Sequence, residues 1–218
     1  MKKSMDLFGD ALLAYSKGDR TPMYFVSGNY KSENDLSRHF RKSTKLYATE
    51  NKMISLCYGN ILDVGCGTAN YFPKLIKKGN VIGIDISSRI VNIAVNNGFN
   101  CIVANIFTYK PKIKYDTITL FQNNIGMAGS ISRTKTLLKK IFSLLKPRGQ
   151  LLLILRHAKD KDYIQVKLTP VWKNITGEEF KWMIYSKEYL KKMCEELNLV
   201  FEILMSEDDN YLIRIKRR

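Results

Sequence analysis

A doubly wound α/β fold with a mostly parallel sheet is what these 218 residues predict, and three observations carry the prediction. From residue 60 onward, short apolar runs rich in Ile, Val and Leu recur with little alternation, as strands covered on both faces require. Stretches with helical spacing separate those runs. A glycine-bearing loop, Asp63-Val64-Gly65-Cys66-Gly67-Thr68-Ala69-Asn70, stands where the first strand passes into its helix.

In chain order, residues 1–57 read as a helical cap around a looped centre from Gly18 to Asn34, and 58–218 as the core. Runs 60–64, 81–85, 101–105, 117–121 and 150–157 read as strands, and 70–78, 87–97 and 131–145 as helices. Ser87 caps the second helix, and Lys146-Pro147-Arg148-Gly149 supplies a turn after the third. This alternation implies right-handed βαβ crossovers. Residues 158–185 read as an inserted β-hairpin placed as a lid, because Ile164, Val166 and Leu168 alternate, as do Phe180, Trp182 and Ile184. A helix at 187–197, capped by Ser186, precedes strands at 199–205 and 211–216. The turn from Glu207 to Asn210 is so tight that these two must be antiparallel, which reverses one strand near the sheet edge.

Composition narrows the class. No apolar run approaches the ~18 residues of a membrane span, and Asp6 and Asp10 interrupt any signal-peptide core. A cytoplasmic protein without a membrane partner is the expectation. Cys57, Cys66, Cys101 and Cys194 lie far apart, and His39 and His157 do not complete a ligand set, so no metal site is expected. The net charge of +16 concentrates in residues 60–157, where 14 Lys/Arg face three carboxylates: Asp63, Asp85 and Asp116. A basic core can attract nucleic acid, but bulk charge specifies function weakly.

Two of those three carboxylates have chemically telling places. Glycines let the loop turn tightly and let a ligand approach without meeting a Cβ. A pyrophosphate ligand favours a third glycine and a bare helix N-terminus, whereas here Ala69 and Asn70 follow and Asp63 precedes. Asp63 would repel phosphate and suit a cation. Asp85 closes the second strand, 20 residues after Gly65, where an acid binds the vicinal hydroxyls of a ribose. The ligand implied is a cationic adenosine derivative.

NILDVGCGTAN resembles the glycine-rich first motif of class I S-adenosylmethionine-dependent methyltransferases, and VIGIDIS resembles their ribose-binding strand end. VANIF is similar to the stretch that frames the adenine, KYDTITLF to the fourth strand, and LLKPRGQLLLIL to the fifth. FQNNIGMAGS resembles a small-molecule-type subset with unassigned acceptors. The resemblance covers residues 60–157, with Ala69 and Asn105 departing from a common Gly and Asp. It implies a Rossmann-like, seven-stranded mixed sheet in the order 3-2-1-4-5-7-6, with S-adenosylmethionine as cofactor. By the same likeness Asp63, Gly65, Cys66 and Gly67 face the methionine end and Asp85 and Ile86 the ribose. Asn105 and Ile106 take the adenine, and Gln122 and Asn123 lie beneath the sulfonium. Asn124, His157 and Trp182 are the residues expected toward the acceptor, with His157 the one candidate base.

The acceptor is less legible. The loop after the fourth strand, Gln122-Asn123-Asn124-Ile125, lacks the Pro-Pro-aromatic motif that serves adenine or glutamine amino groups. Cys66 has no basic neighbour in sequence to lower its pKa and reads as a small loop residue. Tyr163 and Lys167 match the YxxxK of short-chain dehydrogenases, but their segment alternates as a strand and would hold them ~13 Å apart. Arg38, Arg41, Lys42 and Lys45 read as a helical stripe, either a solvated face or an anion-binding rim. With cap and lid enclosing a pocket, a small-molecule acceptor is expected, ahead of RNA and of a non-catalytic cofactor-binding subunit.

Overall fold

The computed structural model describes residues 2–41 and 45–218. Helix α1 (Ser4–Ser16) opens it, followed by β1 (Met23–Ser27), β2 (Tyr30–Asn34) and a 3-10 turn over Leu36–Phe40. Helix α2 (Ala48–Ser55) leads into β3 (Gly59–Val64), α3 (Phe72–Leu75), β4 (Gly79–Asp85), α4 (Ser88–Asn96) and β5 (Cys101–Val103). Then come β6 (Tyr115–Leu120), a 3-10 turn over Asn124–Ala128, α5 (Ile131–Leu144) and β7 (Leu145–Arg156). An insertion holds β8 (Tyr163–Trp172), β9 (Ile175–Thr176) and β10 (Phe180–Tyr185). The chain finishes on α6 (Lys187–Glu196), β11 (Leu199–Glu207) and β12 (Asn210–Arg217).

Seven strands form the central sheet in the order β5-β4-β3-β6-β7-β12-β11, which is the expected 3-2-1-4-5-7-6. β12 runs antiparallel to both of its neighbours, while β3 through β7 pair in parallel. Alternation along each strand feeds two apolar layers. Leu62, Leu151, Leu153 and Leu155 pack with Leu138 and Ile141 of α5 and Met193 of α6. Ile61, Leu152 and Ile154 pack on the opposite face with Met53 of α2, Phe72 of α3 and Val91 of α4. Each fully buried Leu of β7 contributes roughly 1.5–3 kcal/mol by leaving water. Ser87 and Ser186 cap α4 and α6 through their hydroxyls, as expected.

The N-terminal segment departs from its sequence reading. Its expected looped centre is a β-hairpin, with Met23 opposite Asn34 and Ser27 opposite Tyr30. The two residues between are Gly28, at φ +56°, and Asn29, a pairing that favours a tight hairpin turn. β1 pairs further with β8, Met23 facing Trp172, so β10-β8-β1-β2 with β9 is one antiparallel sheet. The segments expected as separate cap and lid thus share a single roof. α1 links it to the core, where Leu7, Ala11 and Leu12 meet Trp172 and Ile90.

Smaller differences have local causes. Only Phe72–Leu75 of the expected 70–78 helix is α-helical. Lys146 to Gly149 belong to β7 instead of a free turn, and the register slips between Tyr115 and Thr117 where they enter. The basic helical stripe does not form, because the 3-10 turn ends at Phe40 and Arg41 turns inward to Glu50 at 2.7 Å. Lys42 of that stripe lies outside the described residues.

Candidate active site

Between the carboxyl ends of the central strands and the roof lies a cavity of about 710 Å³. Its floor is the glycine loop with Asp85 and Ile86 after β4, Asn105 and Ile106 after β5, and Gln122 to Asn124 after β6. Its ceiling is apolar: Phe8 of α1, Phe25 of β1, Val166 and Leu168 of β8, Phe180, Trp182 and Ile184 of β10. The alternation that predicted the hairpin is the alternation that turns these side chains to the cavity. β3 lies between β4 and β6, so the site sits where the strand order reverses, the place ligands take in such sheets.

The loop is built to pass under a ligand. Gly65 (φ +71°) and Gly67 (φ +56°) are left-handed, and so is Ala69 (φ +62°). That angle explains why a glycine is common where Ala69 stands. Gly65 and Cys66 donate their N–H groups to Ile84 O at 2.8 and 3.1 Å, and the Asn124 amide donates to Val64 O and Gly65 O. A Cβ at Gly65 would come within 2.6 Å of that amide, whereas one at Gly67 would meet only open space. Asp85 accepts from Gly67 N–H at 3.1 Å on one oxygen and from Ser87 N–H at 3.0 Å on the other. Each oxygen keeps acceptor capacity toward the cavity. Burial raises its carboxyl pKa, and the Ser87 and Gly67 amides oppose that.

Asp63 is placed otherwise than expected. It is 1% exposed, beneath the loop instead of facing the cavity. One oxygen accepts from Thr119 Oγ1 at 2.8 Å, and Oδ2 has no hydrogen-bond partner among the described residues. Burial pushes its carboxyl up to about 7, with the Asp85 charge adding to the rise. A cation above the loop would offset the cost of that buried charge, and S-adenosylmethionine, with a sulfonium and an ammonium against one carboxylate, is such a cation. Because this acid's folded pKa lies above its unfolded value, stability falls as pH rises from about 4 to about 7 and then stays lower. Asp63→Asn is therefore expected to be at least as stable as the wild type at pH 8 and to lose that advantage at pH 4. Thermal melts at the two pH values check it, with roughly 2–4 °C for each kcal/mol.

A family profile described as a methyltransferase domain matches residues 22–202. The chain belongs to the class I S-adenosylmethionine-dependent methyltransferases. Its fold superposes on a methyltransferase from Bacteroides fragilis bound to S-adenosyl-L-homocysteine with a TM-score of 0.88 at 21% identity, over 100% of this chain and 97% of that one. A Clostridium acetobutylicum methyltransferase gives 0.62 at 16% identity, over 80% and 93%. Among curated proteins, malonyl-[acyl-carrier protein] O-methyltransferase 2 of Ilyobacter polytropus is 28% identical over 204 residues, 89% of this chain and 70% of that protein.

Several of the residues expected at the cofactor of this methyltransferase line the cavity, with their side chains already engaged. Ile86 is 56% exposed and offers an apolar face, and Ile106 lines the same side. Asn105 Oδ1 accepts from Phe107 N–H at 3.0 Å, which leaves one lone pair for an adenine amino group. Gln122 donates to the Tyr71 hydroxyl at 2.8 Å, Tyr71 donates to buried Glu50 at 2.7 Å, and Arg41 closes the chain. Asn123 is structural: its amide donates to Met183 O and accepts from Arg156 N–H. Asn124 clamps the glycine loop, so its amide is not spare for an acceptor. Cys66 Sγ lies 3.8 Å from Cys101 Sγ, and that bond together with burial raises its thiol pKa. Trp182 lines the cavity and lies against Gly126, where a Cβ would meet Nε1 at 2.3 Å.

His157 is the clear correction. It lies outside the cavity lining, its Nδ1 accepts from Lys187 N–H at 3.2 Å at the start of α6, and its ring packs on Tyr211. It is neither pocket wall nor base. His157→Ala should leave methyl transfer unchanged and cost about 0.5–2 kcal/mol as a lost cap, read from steady-state rates beside thermal melts. The histidine at the cavity is His39, which sequence reasoning passed over. Desolvation of this half-buried ring, reinforced by the Arg41 charge, lowers its pKa to about 4, so it is neutral at pH 7.

Proposed function

We propose that this methyltransferase acts on a small molecule held in the cavity between the glycine loop and the roof. The observation that carries the reading is the second sheet, which with α1 covers the carboxyl ends of the parallel strands. A polymer would need that edge open; a roofed cavity of this size suits a compact acceptor. Likeness to the Ilyobacter relative supports oxygen as the methylated atom.

The cofactor supplies an activated methyl carbon on its sulfonium sulfur. What remains for the chain is placement. Asp85 would hold the ribose, Asn105 and Ile106 would hold the adenine, and the roof would confine the acceptor and exclude water. Alignment of this kind contributes roughly 7–11 kcal/mol to lowering the barrier, which accounts for a site without a catalytic triad. With the cofactor bound, the roof would hold the acceptor's nucleophile in line with the methyl carbon.

RNA, favoured by charge alone, finds less support. Lys135 pairs with Glu196 at 2.7 Å on the side of the sheet, and Arg41, taken from sequence as a surface cation, pairs with buried Glu50. Methyl-tritiated S-adenosylmethionine incubated with the protein and fractionated cell extract tests the reading. Label is expected in the small-molecule fraction and absent from RNA. Label confined to RNA would overturn the reading, and so would cofactor binding without transfer to either fraction, as in a non-catalytic subunit.

A further inference from the structure

Gln122 and Asn123 are consecutive left-handed residues, at φ +50° and +59°, and neither is glycine. Side chains rarely adopt that backbone unless the surroundings hold it, and such strain concentrates where a side chain has to be aimed. Gln122 lines the cavity, and its amide nitrogen donates to the Tyr71 hydroxyl at 2.8 Å. Among the described residues its Oε1 meets no donor.

The direction of that amide is set from outside the cavity. Glu50 Oε1 accepts from Arg41 Nη2 and from the Tyr71 hydroxyl, each at 2.7 Å, and Oε2 accepts from Tyr47 N–H at 2.9 Å. A carboxylate paired with a guanidinium offers only acceptors, so the single Tyr71 proton points at Glu50. Burial, with the Glu50 charge beside it, raises the Tyr71 pKa, and the hydroxyl keeps that proton. The Tyr71 oxygen is left with lone pairs for Gln122, which must present Nε2 and turn Oε1 away. The Tyr71 ring stacks on Phe121, the residue before Gln122, with centroids 3.8 Å apart. Helix α2, which carries Glu50, is clamped in turn by Glu207, whose carboxylate accepts from Thr49 N–H and Thr49 Oγ1, both at 2.9 Å.

Gln122 follows β6 on one side of the glycine loop, whereas Asp85 and Asn105 follow β4 and β5 on the other. With the ribose and adenine toward those two, the amino-acid tail of the cofactor would lie toward Gln122. In that tail the carboxylate and the sulfur have no proton to give, and the α-ammonium is the one donor. We propose that Tyr71, oriented by Glu50, is a positioning residue that holds the Gln122 amide with its oxygen toward the α-ammonium of S-adenosylmethionine. A helix of the N-terminal segment thereby sets the affinity for the cofactor's tail. This role is independent of which acceptor the enzyme uses.

Calorimetry with three ligands tests it without turnover. They are S-adenosyl-L-homocysteine, its deamino analogue, which keeps the carboxylate and lacks the ammonium, and methylthioadenosine, which lacks the whole tail. Tyr71→Phe keeps the stacked ring. It is expected to bind S-adenosyl-L-homocysteine about tenfold or more weakly, and the other two ligands as the wild type does. Gln122→Leu should show the same ammonium-dependent loss. Adding Tyr71→Phe to it should weaken binding no further, because residues acting through one contact are not additive. Gln122→Leu alters a side chain exposed to the cavity, so it keeps the test open if loss of the Tyr71 hydroxyl disturbs folding. An equal loss for all three ligands would mean that the chain of hydrogen bonds only supports the fold, and would overturn the proposal. Wild-type affinity for S-adenosyl-L-homocysteine in either single variant would overturn it too, as would additive losses in the double variant.

Discussion

Replacing Asp85 with Ala is expected to abolish measurable S-adenosylmethionine binding in calorimetry. The side chain offers both oxygens at the end of β4, and hydrogen bonds to a charged acceptor are each worth about 1.5–3 kcal/mol. Losing two corresponds to roughly a hundredfold or more in affinity. The same carboxylate ties Gly67 N–H and Ser87 N–H together, so the variant also loosens the seat of the loop. α4 keeps its own cap, since the Ser87 hydroxyl accepts from Ile90 N–H independently. A fall of a few degrees in Tm with an intact fold is therefore expected beside the loss of binding. Asp85→Asn, which retains one acceptor oxygen, should fall between the two. Wild-type affinity in the Ala variant would remove Asp85 from the cofactor site.

Gly67→Val is expected to bind no cofactor while still folding. The space its side chain enters is the cavity itself, where a Cβ meets nothing within 4 Å. The cost to the fold is the left-handed angle of φ +56°, on the order of 1–2 kcal/mol for an L-residue and more when β-branched. Gly65→Val makes the contrast. Its Cβ would overlap the Asn124 amide that clamps the loop, so it should lower stability before binding can be measured. Circular dichroism melts and calorimetry on the pair separate the two roles, and normal binding by the Gly67 variant would mean the loop faces elsewhere.

The parts legible in the sequence are those whose causes are local. Unbroken apolar runs such as NILDV and QLLLIL announce strands covered on both faces, whereas the order of the central sheet came from the family resemblance. The N-terminal hairpin was hidden because β2 is polar on both faces, with Tyr30, Lys31, Ser32 and Glu33 all exposed. Pairing of Met23 with Trp172 joins residues far apart in sequence, which no periodicity reports. Strand alternation also decided between neighbours. At the end of β7 Arg156 lines the cavity while His157 turns to the α6 start, since successive side chains point to opposite faces. Asn123 and Asn124 were well placed by position but hold backbone groups instead of ligand. Asp63 was correctly picked out as unusual, yet its charge acts from beneath the loop.

A diffraction map from crystals grown with S-adenosyl-L-homocysteine tests the central claim most directly. Density is predicted in the cavity under the roof, with the ribose hydroxyls within hydrogen-bond reach of Asp85, the adenine beside Ile86 and Ile106, and the chain of Gly67 directly against the ligand. Density at another place on the molecule, or a ligand in this cavity whose ribose lies away from Asp85, would contradict it.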